Sequence, residues 1–70
     1  MTGPAHYNGR GALDTIREAM TPDEYRGFLR GNVIKYAYRL GKKGPALADA
    51  RKLHEYAGWL IEALEQEAVQ

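Results

Sequence analysis

Between Tyr25 and Ala48 the sequence carries Arg26, Arg30, Lys35, Arg39, Lys42 and Lys43, with no acidic residue among them. At helical spacing Asn32, Lys35, Tyr36, Arg39 and Lys43 fall at i, i+3, i+4, i+7 and i+11, which predicts one helix face bearing all five. A solvated helix face normally mixes charges of both signs, because opposite charges four residues apart support the helix. A face of one sign interleaved with tyrosines is suited to an anion. The chemistry such a set can do is phosphate chemistry by positioning: Lys and Arg hold a phosphoryl group while Asp or His orients a hydroxyl or a metal. Lys35, Arg39, Lys43 and Lys52 supply charge, and Asp49 and His6 are the acid–base candidates. Plainer roles stand beside these. The basic face can pair with acids elsewhere in the chain, Asp49 can simply favour the dipole of a helix first turn, and His6 and Tyr7 can pack an N-terminal arm onto the domain.

Other chemistries lack their residues. The chain has no Ser and no Cys, so nucleophilic triads on either are excluded, and Thr2, Thr15 and Thr21 have no base at motif spacing. There is no GxxxxGK[ST] phosphate loop. Asp14, Glu18, Asp23, Glu24 and Asp49 do not make the repeated ExxE/ExxD pattern of all-helical pyrophosphohydrolases. His6 and His54 stand at no recognisable ligand spacing, so no protein-held metal is expected, and magnesium enters only if a phosphoryl group is transferred. No apolar run approaches the roughly 18 residues that span a bilayer, and no signal-peptide pattern opens the chain. A cytoplasmic protein without membrane contact is expected.

Seventy residues make one small domain, which buries only about 60% of its unfolded surface. Small cores without disulfides are commonly rescued by association, so a homo-oligomer is expected. Net charge is +1, but from His54 to Gln70 there are four acids and no Lys or Arg. That acidic segment opposes duplex nucleic acid as a partner.

The elements follow from punctuation and period. Residues 1–11 hold three glycines and one proline without periodicity, an irregular flexible arm, and residues 12–70 form a single helical domain. Leu13, Ile16 and Met20 predict a short first helix. Thr21-Pro22-Asp23-Glu24 is a capping box with proline at N1 and acids at the positive end of the dipole. The helix it starts shows Tyr25, Phe28, Leu29, Val33, Ala37 and Leu40, with Gly27 and Gly31 inside, and is expected to stop at Gly41 or Gly44. The two interior glycines predict close packing, a kink, a ligand approach or a break near Gly31. A last helix runs from Pro45 to about Glu67, with an apolar seam of Leu47, Ala50, Leu53, Ala57, Leu60 or Ile61, Leu64 and Ala68. Tyr56 and Trp59 fall off that seam, as an interface or a pocket wall. The fold expected is all-α, three helices behind an arm.

Read in order, His6-Tyr7-Asn8, GNVIKYAYR at Gly31–Arg39, Lys43-Gly44 and Asp49-x-x-Lys52-x-x-x-Tyr56 resemble a family of small phage proteins, domain-of-unknown-function family 3310, also called SaV-like. The family pattern is roughly HY, then GNxxKYxxRxxxKG, then DxxKAxxYL, and the resemblance covers His6 to Leu64. It implies phage origin, the host cytoplasm and contact with nucleotides, because a larger phage protein carrying the domain phosphorylates deoxynucleoside monophosphates without a P-loop. Matching positions are His6, Tyr7, Gly31, Asn32, Lys35, Tyr36, Arg39, Lys43, Asp49, Lys52 and Tyr56. Leu53 stands where the family prefers alanine, and Ala48 replaces a frequent acid.

The resulting expectation is a nucleotide-binding protein, kinase-like if it turns its ligand over. Lys35, Arg39 and Lys43 would grip phosphates, Tyr36 or Tyr56 would stack on the base, Asn32 and Asp49 would hydrogen-bond sugar or base, and His6 would close over the ligand. The alternatives are a protein-binding module that inhibits a host enzyme or defence system, and a sponge that holds a nucleotide signal without turnover.

Overall fold

The computed structural model describes residues 10–69, which form three helices: α1 (Arg10–Ala19), α2 (Pro22–Arg39) and α3 (Ala46–Val69). The arm expected over residues 1–11 lies outside the described residues except at its end, where α1 already begins at Arg10. Thr21 breaks the chain between α1 and α2 as its capping box requires. Thr21 Oγ1 accepts from the Glu24 amide at 3.2 Å, and Glu24 Oε1 accepts from the Thr21 amide at 2.9 Å. Such a cap is worth about 1 kcal/mol. At the other end of α2, Leu40 is the C-cap and Gly41 takes φ +75°, the left-handed residue that lets the chain reverse.

α2 and α3 make a helical hairpin, and α1 lies across its Tyr25–Phe28 side. Leu13, Tyr25, Leu29 and Ala63 are buried together, with Ile16, Met20, Phe28, Tyr56, Trp59 and Leu60 packed against them. Arg26 clips the open end by reaching Glu67 at 3.0 Å and also pairs with Asp23. Among the described residues no helix is long and apolar enough to cross a membrane.

Three local expectations need correction. Neither Gly27 nor Gly31 breaks α2, and a Cβ at either would meet nothing within 4 Å, so neither serves a close helix contact. Of the apolar seam read on α3, Leu60 packs against the core, but the rest does not define the packed face. Leu47, Ile61 and Leu64 are exposed, whereas Asp49 and, two turns on, Tyr56, then Leu60, Ala63 and Glu67 at steps of about one turn, face α2. The seam was misplaced because the packed face holds a buried acid and aromatics that a count of aliphatic residues passes over. The same effect moves the α2 face: beyond Leu29 it is Asn32, Tyr36 and Arg39 that turn toward α3, while Ala37 and Leu40 are exposed.

Candidate functional site

The loop end of the hairpin is held by charge. Asp49, in the first turn of α3, is only 2% exposed, and a carboxylate taken out of water must be partnered. Its Oδ2 accepts from the Gly41 amide at 3.1 Å, and its Oδ1 lies 3.0 Å from Arg39 Nε. The Nε–H is not aimed at that oxygen, so the contact is a charge pair without a directed hydrogen bond. Asp49 therefore ties the end of α2, the reversal at Gly41 and the start of α3 to one another.

Tyr36 and Tyr56 stack across the hairpin at 5.9 Å, with rings 16° apart. Phe28 and Trp59 meet Tyr56 edge-on at 6.2 and 5.1 Å. Lys35 Nζ sits 4.6 Å from the Tyr36 ring centre and the Arg39 guanidinium 5.4 Å, so two cations rest on one edge of this aromatic stack. Asn32 donates from Nδ2 to the Phe28 carbonyl at 2.9 Å, which leaves its side-chain oxygen for a ligand.

Two hollows flank the stack. One, of about 270 Å³, is lined by Ala12, Leu13, Ile16, Phe28, Lys52, Glu55, Tyr56 and Trp59. The other, also about 270 Å³, is lined by Lys35, Tyr38, Arg39, Lys42 and Lys43. The first is aromatic with a single Lys–Glu pair at its rim, Lys52 Nζ standing 3.6 Å from Glu55. The second is a basic cradle without an acid in its lining.

The expected site is thus partly regrouped. Asn32, Lys35, Tyr36, Arg39, Asp49, Lys52 and Tyr56 lie along the hairpin toward its loop end. Lys43 reaches the cradle from the turn and not from the helix face, because α2 stops at Arg39. His6 and Tyr7 lie outside the described residues. Of the cradle's lining, Tyr38 was not among the expected site residues, and Lys42 stood only in the basic run. Lys42 Nζ donates to the Tyr38 carbonyl at 2.7 Å and sits 4.6 Å from its ring. The Tyr–Lys spacing of four, the spacing used for the rest of the stripe, was the available signal. Among the described residues no group of three His, Asp or Glu side chains could hold a metal ion.

Comparison with known proteins agrees with the residue pattern. A protein of Escherichia phage T7 named "Nucleotide kinase gp1.7" is 37% identical over 46 residues, 61% of this chain and 24% of its own length. The "Gene 1.7 protein" of Enterobacteria phage T3 is 39% identical over the same number of residues, 28% of its length. The chain thus spans about a quarter of the length of the curated relatives it matches. No solved structure matches it. A family described as protein of unknown function (DUF3310) matches residues 1–58, most of the chain, and the protein belongs to that family.

Proposed function

We propose that this chain is a phage-encoded nucleotide-binding protein that grips phosphate in the cradle at the end of α2 and sets the base against the aromatic hollow. The carrying observation is the convergence of Lys35, Arg39, Lys42 and Lys43 on one hollow, with Lys35 and Lys43 lacking an acidic partner among the described residues. Lys35 lies 4.6 Å from the Tyr36 ring, itself 5.9 Å from Tyr56, and a nucleoside monophosphate is long enough to bridge the two. Arg39 supplies a planar donor set for phosphate oxygens and is oriented by Asp49. Lys and Arg here act as fixed charge, which suits a ligand that carries two or more negative charges on one phosphate.

The T7 relative's name, nucleotide kinase, favours a nucleotide as ligand and phosphoryl transfer as the reaction. If transfer occurs, the role of Asp49 is to position Arg39, because its two oxygens already face the guanidinium and the Gly41 amide. Magnesium would then arrive on the nucleotide phosphates, keeping several of its own water ligands.

A thermal-shift series with deoxynucleoside mono- and triphosphates, with and without magnesium, tests the reading. A ligand at about 100 times its Kd adds about 2.7 kcal/mol, a rise of about 10 °C or more for a domain of this size. No rise with any nucleotide would remove the proposal. A selective rise followed by transfer of labelled phosphate from a triphosphate would establish turnover, and a rise without transfer would leave a binding protein.

A further inference from the structure

α1 covers one side of the α2–α3 hairpin, and the opposite side is open. On that side Asp23, Arg26, Gly27 and Arg30 of α2 and Leu60 and Leu64 of α3 line a shallow groove of about 350 Å³. Steps of seven residues from Arg26 and Arg30 carry this flank of α2 on through Val33, Ala37 and Leu40. On α3, Ala50, Ala57, Ile61 and Leu64 continue it. Leu40, Ile61 and Leu64 are 48, 57 and 45% exposed, while only Leu13, Tyr25, Leu29 and Ala63 form the buried apolar core of the described residues. A domain with so small a core and so many exposed aliphatic side chains on one flank is short of burial on that side.

The charge pattern along that flank identifies its occupant. α3 is basic near its start, at Arg51 and Lys52, and carries Glu62, Glu65 and Glu67 toward its end without a Lys or Arg between. α2 runs the other way, from Asp23 and Glu24 to Lys35, Arg39 and the lysines of the turn; Arg26 and Arg30 lie in its open-end half, where the acids of both helices outnumber them. The hairpin therefore has a basic loop end and an acidic open end. Two hairpins packed with loop ends together would oppose like charges; packed antiparallel, each basic end meets an acidic one. Opposed helix dipoles favour the antiparallel arrangement as well.

We infer that the open face is a homodimer interface in which two copies pack antiparallel about a two-fold axis near Ala57. In that register Ala50 opposes Leu64 of the second copy, His54 opposes Ile61, and Arg51 comes beside Glu65. The small Ala57 and its neighbour Gly58 stand at the axis, where the two α3 backbones approach. Arg51 and Glu65 have no ion-pair partner among the described residues, and the dimer supplies one for each. Because a two-fold interface repeats every contact, each substitution acts twice.

Sedimentation equilibrium of the full chain tests this, with circular dichroism to confirm that each variant keeps its helices. The unsubstituted chain is expected to weigh two protomers, and Ile61→Glu, at an exposed position, one. Arg51→Glu should raise the dimer Kd about tenfold or more, and Arg51→Glu combined with Glu65→Arg should restore it. A monomer at all concentrations, or a dimer indifferent to Ile61→Glu, would overturn the interface. A dimer that tightens or stays unchanged with Arg51→Glu would overturn the antiparallel register. None of these readouts involves a nucleotide, so the interface stands or falls apart from the ligand.

Discussion

The two ends of the α2–α3 hairpin are closed by different physics. At the open end, inside the surface Arg26–Glu67 pair, Tyr25 and Leu29 of α2 meet Ala63 of α3 under Leu13 of α1, an apolar contact in which Leu29 has no exposed surface. At the loop end the same two helices are joined by Tyr36 stacked on Tyr56 and by a carboxylate held between a guanidinium and a backbone amide. Apolar burial is the cheaper way to hold two helices, since buried charge must recover its lost hydration. A loop end built from Arg39, Asp49 and Tyr36 gives up that economy. In return it presents Lys35, Lys42 and Lys43 from a fixed frame, where an aliphatic contact would leave nothing for an anion.

That contrast is most sharply tested at its apolar end. Leu29→Ala should cost about 2–5 kcal/mol, a large part of the stability of a domain whose total is about 5–10 kcal/mol. Urea unfolding followed by circular dichroism would read it. A loss under 1 kcal/mol would show that the open end does not carry the fold. Asp49→Ala should have the next largest effect, about 1–3 kcal/mol, because it strands the Gly41 amide and the Arg39 guanidinium. Hydrogen exchange at the Gly41 amide should quicken at the same time. If stability and exchange were both unchanged, the loop end would be held by its aromatic stack alone.

The open end was legible in the sequence, and the loop end was legible by composition but not by geometry. Thr21-Pro22-Asp23-Glu24 fixes its own structure within four residues, so its capping box could be read and is found intact. Leu13, Ile16 and Met20 repeat at helical spacing and all contribute to the core or pack against it. The face of α3 could not be read the same way. Its aliphatic residues follow a clear period, yet that period runs mostly along the exposed flank, and the packed face joins Leu60 and Ala63 to Asp49, Tyr56 and Trp59. Whether an acid is buried depends on what arrives from another helix, here Arg39 and Gly41, which no local pattern records. The lysines of the cradle were visible as a group, but Lys43 was placed on a helix that ends four residues before it.

Gly31 offers a smaller and opposite effect. It interrupts neither α2 nor a helix contact, and a Cβ there would stand in open space. Gly31→Ala should stabilise the domain by about 1 kcal/mol, or about 4–8 °C in Tm, through helix propensity alone. A stabilised variant that still binds nucleotide would show that the glycine in the family-like GNVIKY run serves neither end of the hairpin. A stabilised variant with weakened binding would place the ligand against the α2 backbone at that turn.

The smallest effect on stability belongs to Lys43, and it separates holding the fold from holding a ligand. Lys43 is exposed in the turn, pairs with no acid among the described residues and lines the cradle. Lys43→Ala should therefore leave unfolding within about 0.5 kcal/mol of the unsubstituted chain. Loss of a charge-assisted contact to phosphate, worth about 1.5–3 kcal/mol, should weaken nucleotide affinity by roughly ten- to a hundredfold. Arg39→Ala cannot make this distinction, because it also removes the counter-charge of buried Asp49 and so disturbs the frame with the ligand. If Lys43→Ala, measured by calorimetric titration, bound nucleotide as the unsubstituted chain does, the cradle would be a solvated turn. The loop end's costly charge pair would then have to be explained by the reversal at Gly41 alone.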